Sequence, residues 1–192
     1  MSRSIRFTPG QILAFGHTKR GQEIIFRLPQ KEDVQALWKF INKIVKEDTY
    51  VSTSEPISLK DEKAFLDSRL SGLKTQHAIY ITAWVGKELA GVCGIDRKVS
   101  GQRRTPHVGK FGITIAKKFR AQGVGKQISL VALEAAQTGI PGLKIIELEV
   151  FGTNAPAVAL YKKLSFKQYG KLPKGLLYKG KYMDEIFMYK NV

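Results

Sequence analysis

The sequence predicts a mixed α/β (α+β) domain. Short β-branched runs alternate with stretches whose apolar residues recur at three- and four-residue steps. Gly and Pro punctuate the boundaries between them. No segment repeats at the roughly 20–50-residue periods of solenoids, and none is of low complexity. The 192 residues are enough for one domain with its own core, and 43% hydrophobic with 25% charged residues is the balance of a folded chain.

Gln11–Phe15 and Glu23–Leu28 are β-prone runs separated by a polar Gly/Lys/Arg stretch, which predicts a hairpin ended by Pro29. Residues 1–23 are thus expected to be an N-terminal extension carrying part of that hairpin, ahead of a domain spanning 24–192. Lys31–Lys46 places Val34, Leu37, Trp38, Ile41, Ile44 and Val45 on one helical face. Glu47–Pro56 is a polar loop holding one aromatic, Tyr50. Ser58–Leu70 reads as a helix with Ser58 as N-cap and Asp61 and Glu62 in its first turn. Ala78–Val85 and Leu89–Ile95 form a hairpin of two buried strands around Gly86-Lys87-Glu88. Residues 96–106 make a basic loop, and in Val108–Ile115 the residues Phe111, Ile113 and Ile115 share one face of a strand. Ile128, Val131, Ala132 and Ala135 mark a helix stopped by Gly139 and Pro141. A strand (Lys144–Val150), a helix (Ala155–Leu164) and two β-runs (Phe166–Leu172 and Met183–Tyr189) complete the chain.

Composition removes several classes of function. The single cysteine, Cys93, rules out an internal disulfide framework and a multi-cysteine zinc site. His17, His77 and His107 lack metal-ligand spacing, so no metal is expected. No apolar run reaches the ~18 residues of a membrane span, and Met1–Gly10 lacks a signal peptide's apolar centre. The expectation is a cytoplasmic protein without membrane attachment. The 32 Lys+Arg against 16 Asp+Glu leave a net charge of +16, spread from Arg3 to Lys190. Such a surface attracts anions, whether nucleic acid, an anionic membrane or a polyphosphate cofactor.

The segment from Ile115 to Lys126 carries the most chemical information. It lies between a predicted strand and a predicted helix, and Gly123 and Gly125 let the backbone turn tightly and approach a ligand. The helix start presents unpaired N–H groups and about half a positive charge, with Arg120 and Lys126 adding formal charge. That combination suits a pyrophosphate. Neither a Walker loop nor a complete Rossmann fingerprint is present.

Arg120-Ala121-Gln122-Gly123-Val124-Gly125 resembles the Arg/Gln-x-x-Gly-x-Gly/Ala signature of the GNAT superfamily, the acetyl-CoA-dependent N-acetyltransferases. Asn154-Ala155-Pro156-Ala157-Val158-Ala159-Leu160-Tyr161-Lys162-Lys163-Leu164-Ser165-Phe166 is similar to that family's Asn-x-x-Ala-x-x-Leu-Tyr-x-Lys-x-Gly-Phe motif. The last residues resemble its final hairpin, and the likeness covers about residues 24–190. The resemblance implies a mostly antiparallel central sheet with flanking helices and one parallel strand pair that splays apart. It implies acetyl-CoA as cosubstrate, with Ile113, Thr114 and Ile115 along the pantetheine and Arg120 through Lys126 (Arg120, Ala121, Gln122, Gly123, Val124, Gly125, Lys126) around the pyrophosphate. Asn154 would cap its helix and contact the cofactor. Tyr161 would be the general acid, although its helical spacing with Ala157, Leu160 and Leu164 equally describes a core tyrosine. Ser165 departs from the pattern: it stands where the family has a left-handed glycine, at a cost of about 1 kcal/mol.

The general base has no clear signature. No Glu lies between Val108 and Ile115, which leaves His107 and Glu149 as candidates, or a water chain. The task is real, since deprotonating a lysine amine at pH 7 costs roughly 4.6 kcal/mol and an α-amine about 1.4. Cys93, in a buried-looking strand, reads as a core residue. By the same resemblance the loops Glu47–Pro56 and Leu172–Lys181, with Glu47, Asp48, Tyr50 and Tyr178, would flank an amine acceptor whose identity stays open, as does a homodimer. The rival reading is a binding module that docks on nucleic acid or a ribosome. Arg97, Lys98, Arg103 and Arg104 motivate it, but they lack interleaved aromatics.

Overall fold

Eight strands join in one sheet in the order β1-β2-β3-β4-β5-β6-β8-β7. The computed structural model describes residues 5–50, 55–98 and 104–192, so Arg103 and the middle of the Glu47–Pro56 loop lie outside the described residues. β1 (Ile12–His17) and β2 (Glu23–Arg27) form the predicted hairpin, and β1 is an edge strand of the same sheet. A short 3-10 turn, Lys31–Asp33, precedes α1 (Val34–Lys46). Asp33 is buried there and takes two hydrogen bonds from Arg27, at 2.6 and 2.7 Å, which pins the helix start to β2. α2 (Leu59–Lys74) begins as expected, with Ser58 Oγ accepting from Asp61 N–H at 3.1 Å.

β3 (Ala78–Val85), β4 (Glu88–Arg97) and β5 (Val108–Ile115) follow in antiparallel order. α3 (Val124–Gly139) then crosses back, β6 (Ile145–Phe151) runs parallel to β5, and α4 (Ala155–Lys163) leads to β7 (Lys167–Tyr178) and β8 (Lys181–Asn191). The closing hairpin is longer than the sequence predicts. Pairing continues to Tyr178–Lys181 across a Lys179-Gly180 turn with φ of 50° and 72°. Leu172–Tyr178 is therefore strand, not the expected loop. Two positive φ values in a two-residue connection match the twist of a long ribbon, and Gly supplies one at no steric cost.

The two sheet faces are covered unequally. α3 and α4 bury a large core against Ile24, Phe26, Ile81, Cys93, Ile95, Phe111, Leu148 and Met188. On the other face α1 and α2 cover only the region around Val92, through Leu37, Phe40, Ile44 and Leu66. Within α1, Phe40 is buried although the sequence reading passed over it, while Trp38 is half-buried and donates its indole N–H to Ile57 O at 2.8 Å. Among the described residues no helix covers that face beyond β5, where Glu149 of β6 is exposed and Glu147 and Phe151 are half-buried.

Candidate active site

β5 and β6 stay paired for three residues only: Val108–Ile145, Gly109–Ile146 and Lys110–Glu147. Beyond them β5 remains on β4 as far as Ile115–Gly91, and β6 remains on β8 as far as Phe151–Glu185. Each strand is held from behind, and a wedge opens between them. Ala116 N–H donates to Ala90 O, so by antiparallel alternation Thr114 and Gly112 also spend their backbone groups on β4. Ile113 and Ile115 therefore turn theirs into the wedge. The Ile115 carbonyl is occupied by Arg120 Nε at 2.9 Å, which leaves the Ile113 amide and carbonyl for an extended partner.

The 115–126 loop stands at the mouth of this wedge. A 3-10 turn, Lys117–Phe119, buries Phe119, and Ala121 and Gly123 then take left-handed φ values of 59° and 86°. None of the six backbone N–H groups from Ala121 to Lys126 donates a well-formed hydrogen bond to an acceptor among the described residues. They crowd the first turn of α3, where the helix dipole adds positive potential. Gly123 needs its freedom for the turn itself. Gly125 does not: a Cβ there would meet Leu160 Cδ2 at 3.5 Å and Ile115 Cγ1 at 3.7 Å, ordinary contacts. No neighbour in the free protein excludes a Cβ at 125. The donor set fits a pyrophosphate. Gln122 is buried, donating to Lys118 O at 2.6 Å and accepting at its backbone carbonyl from Lys19 N–H at 3.0 Å, so the β1–β2 turn braces the loop. Lys126 is exposed, and Arg120 is tied to Glu47 at 2.7 Å.

At the other end of the wedge is Tyr161. Its ring lies edge-on to Phe111 at 5.9 Å and against Phe166 at 6.0 Å, and Phe111 is the first β5 residue past the last β5–β6 pair. The residue is 7% exposed and its hydroxyl has no hydrogen-bond partner among the described residues. Among the described residues the fully buried unpaired side-chain atoms are Glu47 Oε1, Arg69 Nε, Arg97 Nε and Gln122 Oε1, so the unpaired Tyr161 oxygen is not wholly enclosed. Burial pushes its phenol above the ordinary tyrosine range, with a smaller push from Cys93. It is protonated throughout the working range of pH. Asn154 caps α4, Oδ1 accepting from Ala157 N–H at 3.3 Å. Ser165 takes φ 68°, the left-handed geometry expected of the glycine it replaces. Cys93 is fully buried, and burial raises its thiol, which keeps it out of the thiolate form.

The two candidate bases are separated. His107 precedes the paired end of β5, its carbonyl accepting from Lys144 and Ile145 N–H at 2.9 and 3.1 Å; at about 3.3 Å per residue it lies some 13 Å along the strand from Phe111. The wedge does not bring it in. Glu149 stands on β6 within the splayed stretch, held by Lys110 Nζ at 2.9 Å. Across from the mouth, Tyr50, Phe151 and Tyr178 form a ring cluster with centroids 5.0 to 5.7 Å apart. Tyr178 Oη donates to Asp48 O at 2.6 Å and Lys179 pairs with Asp48 at 3.3 Å, so the end of α1 is bridged to the β7–β8 turn. Phe151 escaped the sequence reading, though alternation with Glu147 and Glu149 puts it on the open face. Among the described residues no three His, Cys, Asp or Glu gather as metal ligands, and no helix is long and apolar enough to cross a membrane.

A cleft between two splayed parallel strands, with amides lining the loop at its mouth, has the shape and donors that suit an extended, phosphate-bearing cosubstrate. The acetyltransferase (GNAT) family model matches residues 38–166, and the chain belongs to that family. It is 32% identical over 108 residues to an L-amino acid N-acetyltransferase of Escherichia coli; the match spans 56% of this chain and 65% of that relative, just under two thirds of its length. Among solved structures, an acetyltransferase of the GNAT family from Streptococcus pneumoniae superposes with a TM-score of 0.79 at 27% identity, covering 88% of this chain and 99% of that one. A phosphinothricin acetyltransferase from Sinorhizobium meliloti, in complex with acetyl-CoA, superposes with a TM-score of 0.78 at 14% identity over 88% of each chain, a likeness of fold.

Proposed function

We propose that the protein transfers an acetyl group from acetyl-CoA to a primary amine by direct attack, with both substrates bound together. One observation supports the reading: β5 and β6 part after Lys110–Glu147, with the amides of residues 121–126 unbonded among the described residues at one end and the Tyr161 ring against Phe111 at the other. Acetyl-CoA, when bound, supplies the acetyl group as a thioester. The amides of residues 121–126 would hold its pyrophosphate, and the Ile113 backbone its pantetheine as an added half-strand. Tyr161 would give its proton to the departing sulfur as the amine nitrogen bonds to the carbonyl carbon. Burial keeps the phenol protonated but also makes it a weaker acid, so its proton moves only as negative charge builds on the sulfur beside it.

The attacking amine must lose a proton. Glu149, reached directly or through water, is the acceptor that the wedge supports over His107, and it must first release Lys110. The amine is best taken as an α-amine, in keeping with the amino-acid acetyltransferase relative. Its deprotonation costs about 1.4 kcal/mol at pH 7, within reach of a weak base, against roughly 4.6 for a lysine side chain. The Tyr50–Phe151–Tyr178 rings would line the acceptor side.

Two measurements test this. At 100 times its dissociation constant acetyl-CoA should stabilise the protein by about 2.7 kcal/mol, seen as a raised melting temperature. A panel of amino acids and N-terminal peptides, assayed by thiol release, should contain a substrate. An unchanged melt at millimolar acetyl-CoA would overturn the reading.

A further inference from the structure

The end of α1 is tied in two directions. Asp48 holds the β7–β8 turn, its carbonyl accepting from Tyr178 and its carboxylate pairing with Lys179. The preceding residue, Glu47, holds the loop before α3: its Oε2 accepts from Arg120 at 2.7 Å, between residues 73 positions apart. Arg120 also donates Nε to the Ile115 carbonyl at 2.9 Å, so its guanidinium lies on the wedge side of β5. One residue of α1 thus connects the cofactor loop to the acceptor mouth.

Glu47 is poorly satisfied for so enclosed an acid. Its side chain is 16% exposed, and Oε1 is fully buried with no hydrogen-bond donor among the described residues. The Arg27–Asp33 pair shows what a structural tie looks like in this chain. There the guanidinium grips both carboxylate oxygens, and the Gln30 amide adds a third bond. Glu47 has one oxygen engaged and one desolvated without a partner, which is costly unless a further cation completes the site. Arg120, meanwhile, stands beside the amides of residues 121–126, where a bound pyrophosphate would compete with Glu47 for it. An α-amine of pKa near 8 arrives mostly as ammonium at pH 7, with three N–H donors for a carboxylate.

We propose that Glu47 is the subsite for the acceptor's ammonium group, covered by Arg120 until the pyrophosphate of acetyl-CoA draws the guanidinium away. The proposal rests on the transferase reading and adds the charge form in which the acceptor docks. The ammonium gives up its proton afterwards, on the way to the thioester. Calorimetry tests this with CoA, which carries no acetyl group to transfer, and a panel of L-amino acids. Coupling between sites is reciprocal, so an amino acid that binds should do so at least tenfold more tightly with CoA saturating. Glu47→Gln should weaken that amino acid at least tenfold, while CoA binds about threefold more tightly because a partly exposed ion pair no longer competes for Arg120. The matching 2-hydroxy acid, which has no cation, should bind the parent and Glu47→Gln alike. Arg120→Gln should bind the amino acid without CoA at least threefold more tightly than the parent does. A merely structural tie would instead lower the melting temperature of Glu47→Gln and weaken its CoA binding. The proposal is overturned by the absence of CoA-dependent amino-acid binding, by an affinity that Glu47→Gln leaves unchanged, or by weaker CoA binding in that variant. A parent that fails to bind CoA at all would overturn the transferase reading with it, so the two failures are told apart.

Discussion

Tyr161 joins a packed ring to an unheld hydroxyl, and the two halves of that side chain can be separated by mutation. Tyr161→Phe keeps the contacts with Phe111 and Phe166 and removes only the oxygen. Since that oxygen has no partner to lose, stability should be unchanged in a urea titration, while kcat falls on the order of 10²-fold, the size of a general-acid effect. A loss below threefold would remove Tyr161 from the chemistry. Glu62 gives a second residue-scale test. It is 4% exposed at the start of α2, makes no ion pair among the described residues, and burial raises its carboxyl above the model-compound value of 4.5. The folded chain thus holds that proton more tightly than the unfolded one. The associated stability is complete at low pH and is lost as pH rises through the folded-state value. Glu62→Gln should match the parent at pH 4 and exceed it at pH 7, with stability read from denaturant midpoints; equal midpoints at both would contradict the burial argument.

At the scale of an element, Gly125 at the start of α3 tests where the pyrophosphate would sit. A Cβ at Gly125 meets Leu160, Ile115 and Ile113 only at ordinary contact distances, so Gly125→Val should still fold, as its melting curve would show. Its branched side chain would stand where the pyrophosphate approaches the amides, so calorimetry should show acetyl-CoA affinity reduced by at least a hundredfold. Normal affinity would place the pyrophosphate elsewhere. Gly91, on the strand behind the wedge, shows the opposite logic. A Cβ there would lie 2.5 Å from Ile115 Cδ1 and 3.0 Å from the Thr114 carbonyl, so that glycine serves the contact between β4 and β5.

Across the whole molecule, the mouth of the site is made by segments far apart in the chain. The Tyr178–Asp48 hydrogen bond joins residues 130 positions apart and ties the end of α1 to the β7–β8 turn. Tyr178→Phe removes that bond and keeps the ring beside Tyr50 and Phe151. If the cluster positions the acceptor, KM for the amine should rise severalfold while acetyl-CoA affinity and kcat stay near the parent's. A change confined to kcat would assign Tyr178 to another task.

Local physics made much of this protein legible. Period-two and period-3.6 patterns located the strands and helices, Ser58 and Asn154 announced their caps, and Gly123 announced the tight turn into α3, because each signal lies within a few residues of its consequence. Ser165 showed its left-handed backbone through the motif it interrupts. Other features had no local sign. That β5 and β6 part after Lys110–Glu147 depends on β4 and β8 holding them from behind. That His107 falls outside the wedge while Glu149 stands within it follows from strand register, which spacing along the chain does not encode. Phe151 joined Tyr50 and Tyr178, and Leu172–Tyr178 became strand instead of loop, through cross-strand and cross-chain partners. The residues by themselves determined which groups can do chemistry; only tertiary structure, by pairing strands distant in sequence, decided which of those groups meet.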